Sequence, residues 1–93
     1  MYLICFRDEI SGIFTAPVAV GNLSVFARQL HSILQRPADP ASAPLWHQFP
    51  KDHAVYVCGR FDESTGRIDP CDPAFKYRLL DVMTGEESGK DGE

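Results

Sequence analysis

A small α+β domain, with one amphipathic helix on one face of an antiparallel sheet, is predicted by three features of this 93-residue chain. An apolar stripe of helical period runs from Leu23 to Leu34. Runs of β-branched and aromatic residues precede and follow it, and turn signals separate them. The order is β-β-α-β-β with one further element, the simplest two-layer way to bury a single helix stripe. The chain has room for one core, placed at residues 1–85, and the acidic stretch at 86–93 is expected to be a disordered tail.

Tyr2 to Arg7 is β-branched and aromatic, and reads as a strand that begins at once. Asp8-Glu9-Ile10-Ser11-Gly12 is a turn, because its acids and Ser11 cap local amides and Gly12 accepts positive φ. Ile13 to Val20 returns as a second strand. Pro17 cannot donate to a ladder there, so this strand is expected to lie at an edge or to bulge. Asn22 is the expected N-cap of the helix. Leu23, Phe26, Ala27, Leu30, Ile33 and Leu34 then recur at three- and four-residue steps, opposite Ser24, Arg28, Gln29, Ser32 and Gln35.

Between Arg36 and Lys51 stand Pro37, Pro40, Pro44 and Pro50, a density that breaks the helix and keeps the backbone extended. Leu45, Trp46 and Phe49 lie within this loop and are expected to pin it down. Connections of this length inside a small domain are often functional. His53 to Phe61 is the strongest strand. Asp62-Glu63-Ser64-Thr65-Gly66 is a hairpin loop closed by glycine, and Arg67 to Asp69 starts a short return strand. Pro70 and Pro73 are expected to stop it, leaving Phe75 to Met83 as a last strand or short helix.

The chain is 44% hydrophobic and 24% charged, which suits a folded protein rather than a disordered one. Its net charge of −4 is uneven. The tail holds four acids and one base, so the other 85 residues, with nine acids and eight bases, carry only −1. A near-neutral body lacks the broad basic field of a strong nucleic-acid binder, so any phosphate contact must come from a local cluster. No apolar run approaches the ~20 residues that span a bilayer. Met1 to Phe6 lacks a basic n-region, so no signal peptide and no membrane contact are expected, and the thiols should stay reduced in the cytoplasm. Small domains often dimerise to cover apolar surface, and a homodimer is expected.

Catalytic patterns are missing: there is no Gly-rich phosphate loop, nucleophile elbow or HExxH. Cys5, Cys58 and Cys71 lack ligand spacing, so a zinc site with His53 is not expected; no metal and no cofactor are assigned. His31, His47 and His53 have no carboxylate partner fixed by sequence, and Asp62-Glu63 is explained as turn chemistry. The domain is read as no enzyme.

A binding pattern is present. Arg7, Tyr56, Arg60, Arg67, Lys76, Tyr77 and Arg78 sit on or beside the strands. Simple alternation puts Tyr56, Cys58 and Arg60 on one strand face and Val55, Val57, Gly59 and Phe61 on the other. If the helix covers the valines, an aromatic ring and arginines stand on the open face, as in proteins that hold single-stranded nucleic acid. The competing explanation of those residues is a dimer interface or an ordinary polar sheet face.

The chain also resembles the small nonstructural protein of the gokushovirus-like microviruses, single-stranded-DNA phages. The resemblance rests on a first strand ending Phe6-Arg7-Asp8, a second strand around Phe14 to Val20, and the helix segment Val25-Phe26-Ala27-Arg28. Further on it takes in Phe49-Pro50-Lys51-Asp52-His53 and the strand-turn-strand Gly59-Arg60-Phe61-Asp62-Glu63-Ser64-Thr65-Gly66-Arg67-Ile68. It covers most of residues 1–80. The chain departs in a longer Ala/Pro-rich loop, an acidic tail, and Val57 and Arg60 where many members carry an acid. The family is often labelled DNA-binding. The resemblance therefore implies a phage accessory protein of the host bacterial cytoplasm, acting in genome replication or packaging rather than as a coat subunit, and it brings no catalytic or binding residues of its own.

Two functions are carried forward. In the first, single-stranded DNA binds through Arg7, Tyr56, Arg60, Arg67, Lys76 and Arg78. In the second, the chain is an interaction module that docks on a host or viral protein through Trp46 and Phe49, without nucleic acid.

Overall fold

Every helical segment of this protein gathers on one side of a five-stranded antiparallel sheet, as described by a computed structural model over residues 1–85. The tail expected to be disordered, 86–93, lies outside the described residues. In chain order the elements are β1 (Tyr2–Asp8), β2 (Ile13–Phe14), β3 (Val18–Val20), α1 (Leu23–Leu34), α2 (Leu45–Gln48), β4 (His53–Phe61), β5 (Ile68–Arg78) and α3 (Leu79–Thr84). A 3-10 turn, Pro50–Asp52, leads into β4. The sheet runs β2-β1-β4-β5, with β3 also paired to β1.

The second expected strand is two short ones. β2 pairs with Arg7 and Asp8, and β3 with Tyr2, Leu3 and Ile4. The three residues between them include Pro17, which has no N–H to give the ladder. The Asn22 side chain accepts from the Val25 amide at 2.9 Å and caps α1 as expected. Leu23, Leu30 and Leu34 are buried with Ile4, Phe6, Val55 and Val57 of the sheet and Leu79 and Val82 of α3, and Ala27 is buried on the same helix. Burying a side chain such as Leu30 this completely stabilises by roughly 1.5–3 kcal/mol. Polar bonds fasten the two helices: His31 Nδ1 donates to the Val82 carbonyl at 2.8 Å and Gln35 Nε2 to that of Met83 at 2.9 Å.

Two expectations need correction. The proline-rich loop is not extended throughout, since Leu45–Gln48 makes a single helical turn and Pro50–Asp52 a 3-10 turn. Proline suits both starts: Pro44 is the N-cap of the first and Pro50 opens the second. The return strand also does not stop at Pro70. β5 continues to Arg78 through both prolines; it is the edge strand, paired on one side only, where proline is tolerated. Phe75 to Met83 is thus the end of a strand followed by a short helix.

One irregularity decides which side chains share a face. Ile4 pairs with Val57 and Leu3 with Gly59, so Cys58 is looped out of the β1 ladder. The β4–β5 register breaks at the same place, where Val57 opposes Ala74 and Gly59 opposes Pro70. A Cβ on Gly59 would sit 2.7 Å from the Asp69 carbonyl oxygen, so only glycine permits this close approach.

Candidate nucleic-acid interface

The sheet face turned away from the helices carries a row of rings. Cys5 and Tyr56 are register partners on β1 and β4, and Tyr56 faces Phe75 of β5. Arg7 pairs with Phe14 on one side and Ala54 on the other, and Ala54 pairs with Arg78. Directly opposed residues point to the same face, so the two rows stack side by side. The ring centroids of Phe14 and Tyr56 are 5.4 Å apart and those of Tyr56 and Phe75 5.7 Å, both edge to face. Phe75 is 53% exposed and Phe14 38%. The Arg7 guanidinium lies 5.6 Å from the Phe14 centroid and 6.0 Å from that of Tyr56.

One acid shares this face. Glu9 forms an ion pair with Arg7 and accepts from the Tyr56 hydroxyl at 3.2 Å. The pair is exposed, where such bridges contribute about 0–1 kcal/mol, so an anionic ligand can displace it at little cost.

The bulge removes Arg60 from the row, correcting the expected alternation. Tyr2 and Ile4 are two apart on β1 and share a face; their partners are Arg60 and Val57. Arg60 therefore stands on the side of Val57, not of Tyr56. Its guanidinium lies 4.6 Å from the Tyr2 ring, and Tyr2 packs against the helix-side core. It also shares a shallow cleft with Asp62, Glu63 and Asp69, poor company for a phosphate. Arg67 is exposed beside the hairpin loop, where its carbonyl accepts from the Asp62 amide at 2.9 Å. Lys76 is exposed at a register break of β5, between Phe75 and Tyr77. The structure thus brings together Arg7, Tyr56 and Arg78, and separates Arg60 and Arg67 from them.

Phe14 and Phe75 were missing from the sequence-derived set. The register that aligns them with Arg7 and Tyr56 would have supplied both. Trp46 is half-buried: its ring stacks on Phe6 at 4.4 Å and 11° at the core margin, and part of its surface lines an open cleft. Phe49 is 49% exposed.

An apolar cleft of about 410 Å³ opens at the end of the sheet among Ile13, Phe14, Leu45 and Trp46, sharing Phe14 with the row of rings and holding Asp8 and His53 in its wall. Both polar groups serve the local backbone. Asp8 Oδ1 accepts from the Ile10 amide at 2.9 Å and the Ser11 amide at 3.3 Å, and these bonds, that of Ile10 first, hold its carboxyl below the usual range. His53 Nδ1 donates to the Phe49 carbonyl at 2.9 Å. No ion pair joins the two among the described residues, and the arrangement lacks an activated nucleophile. Among the described residues no cluster of three His, Cys, Asp or Glu side chains could hold a metal, and no helix is long and apolar enough to cross a membrane.

Residues 1–84 match a protein family described as Phage ORF5 protein. No curated protein and no solved structure matches the chain significantly. The chain belongs to the phage ORF5 protein family.

Proposed function

From that membership, we propose that this phage protein is a non-enzymatic accessory factor that binds single-stranded DNA on its uncovered sheet face during genome replication or packaging in the host cell. The observation that carries the reading is the row Phe14–Tyr56–Phe75 flanked by Arg7 and Arg78. Rings at these spacings offer stacking surfaces to successive unpaired bases, and guanidinium groups beside them meet the phosphates. A duplex hides its base faces in the stack and gains little from such a row. The near-neutral body makes this a local site, so affinity should be modest and salt-sensitive. Arg60 and Arg67 play no part in the revised interface, and Lys76 acts at its edge.

A fluorescence anisotropy titration of labelled single-stranded oligonucleotide at low salt tests the proposal. Saturable binding is expected at micromolar protein, weaker for the matching duplex. No binding at tens of micromolar would remove it, since even nonspecific binders commonly reach ~10⁻⁴–10⁻⁶ M at physiological salt.

The protein-docking alternative is supported by the 58% exposure of Leu45, which lines the apolar cleft, and the 49% exposure of Phe49. Trp46 lines the same cleft while its ring stacks on Phe6, so it contributes an edge rather than a free ring. If oligonucleotides fail to bind, Phe49→Ala is the variant that should release a protein partner while leaving the core intact.

A further inference from the structure

We propose that Cys5 and Cys58 form a thiol–disulfide exchange site, which small disulfides such as glutathione disulfide oxidise to a bond tying β1 to β4. The two sulfurs lie 3.0 Å apart, and no other pair of thiols is in contact among the described residues. A disulfide needs about 2.05 Å, so roughly one ångström must close. The bulge supplies the freedom. Cys58 is looped out of the ladders on both sides of β4, so its side chain can advance without breaking paired backbone. Cys5, by contrast, sits in the regular part of β1 opposite Tyr56.

The two thiols differ in a way that sets an order of reaction. Cys5 is 5% exposed, whereas Cys58 is half-buried and reachable from solvent. Burial first, and then the contact with Cys58, push the Cys5 thiol up to about 12, so Cys5 keeps its proton and is a poor first nucleophile. Cys58, the accessible sulfur of the two, attacks one sulfur of glutathione disulfide, and its proton passes to solvent. A mixed disulfide forms at Cys58 and a glutathione thiolate leaves, taking up a proton. The Cys5 sulfur, already in contact, then attacks Cys58 Sγ and breaks the mixed disulfide; its proton departs with the second glutathione. Two protein thiols are oxidised and one glutathione disulfide is reduced to two glutathiones. The exchange needs no bound DNA, although Cys5 lies opposite Tyr56 on the same sheet face. Cys71 is exposed, with its sulfur 3.8 Å from the Val57 carbonyl oxygen, and stands outside the pair.

The test uses Cys71→Ser, which leaves only the pair, incubated in glutathione buffers from reducing to oxidising and quenched with acid. Maleimide labelling, intact mass and peptide mapping then report the thiols. Both should vanish together, with a Cys5–Cys58 linked peptide and no retained glutathione. A persistent glutathione adduct on Cys58, or two free thiols in the fully oxidised buffer, would overturn the proposal. A second variant, Cys58→Ser with Cys71→Ser, checks the order of reaction. While circular dichroism shows it folded, its Cys5 should resist both glutathione and maleimide and react only in denaturant. Rapid native modification of Cys5 would refute the order.

Discussion

Phe75→Ala is the sharpest perturbation of the proposed DNA face, because Phe75 is the most exposed ring of the row and contacts Tyr56 at its centre. The ring is 53% exposed and sits on an edge strand, so its removal leaves no enclosed cavity. The structural loss is the edge-to-face contact with Tyr56 at 5.7 Å, about 0.5–1.5 kcal/mol, plus roughly half the burial value of a phenyl ring. A total near 2 kcal/mol is small against the ~5–15 kcal/mol of a typical domain, so the variant should remain folded. Losing one stacking platform costs about 1–3 kcal/mol per base, which corresponds to roughly a 5- to 150-fold rise in Kd. Anisotropy titrations of wild type and variant with the same oligonucleotide read this directly, and circular dichroism confirms the fold. A folded Phe75→Ala protein that binds within twofold of a measurable wild type would refute base stacking on this row.

Further outcomes follow from the same geometry. Arg78→Ala should flatten the slope of log affinity against log salt by about 0.7, the value for one phosphate on a single strand, whereas Arg60→Ala should leave it unchanged; equal effects would mean that the bulge does not separate the two. Glu9→Gln frees Arg7 and Tyr56 from a competing carboxylate and should tighten oligonucleotide binding several-fold in the same titration. Gly59→Ala drives a Cβ against the Asp69 carbonyl oxygen and should cost about 1–3 kcal/mol, read as a lowered Tm. The Asp8 carboxyl is held below its unfolded value by turn amides, so its contribution to stability is complete above roughly pH 4 and disappears as pH falls through the lower folded value. In urea titrations across acid pH, Asp8→Asn should show a shallower loss than wild type, and an identical profile would deny Asp8 that role.

How far the residues alone reveal this fold depends on which interactions are local. The Leu23–Leu34 stripe and the Asn22 cap need only neighbours three or four residues away, so both were legible. The valine face of β4 was legible too, because Val55 and Val57 precede the bulge. Arg60 was misplaced because alternation assumes an unbroken ladder, and one looped-out residue, Cys58, inverts everything after it. Nothing within β4 announces that slip except Gly59, whose meaning comes from Asp69 on the neighbouring strand. The continuation of β5 past Pro70 and Pro73 was hidden for a related reason. Proline forbids a central strand but not an edge, and edge position is a property of the assembled sheet. Trp46 illustrates the same limit, since its partner Phe6 lies forty residues earlier in the chain.

The uncovered face also bears on self-association. A homodimer formed face to face through Phe14, Tyr56 and Phe75 would occupy the surface proposed for DNA, so the two assemblies would compete rather than cooperate. Edge-to-edge pairing through β5 is hindered over the half that carries Pro70 and Pro73, which lack donors, and is confined to the stretch after Pro73. That stretch contains Phe75 and Arg78, again part of the DNA row. A dimer compatible with DNA binding must therefore use another surface, such as the one that carries the exposed Leu45 and Phe49. Oligonucleotide affinity that falls as the protein self-associates would mean that both draw on one face; affinity indifferent to self-association would place the dimer contact away from it.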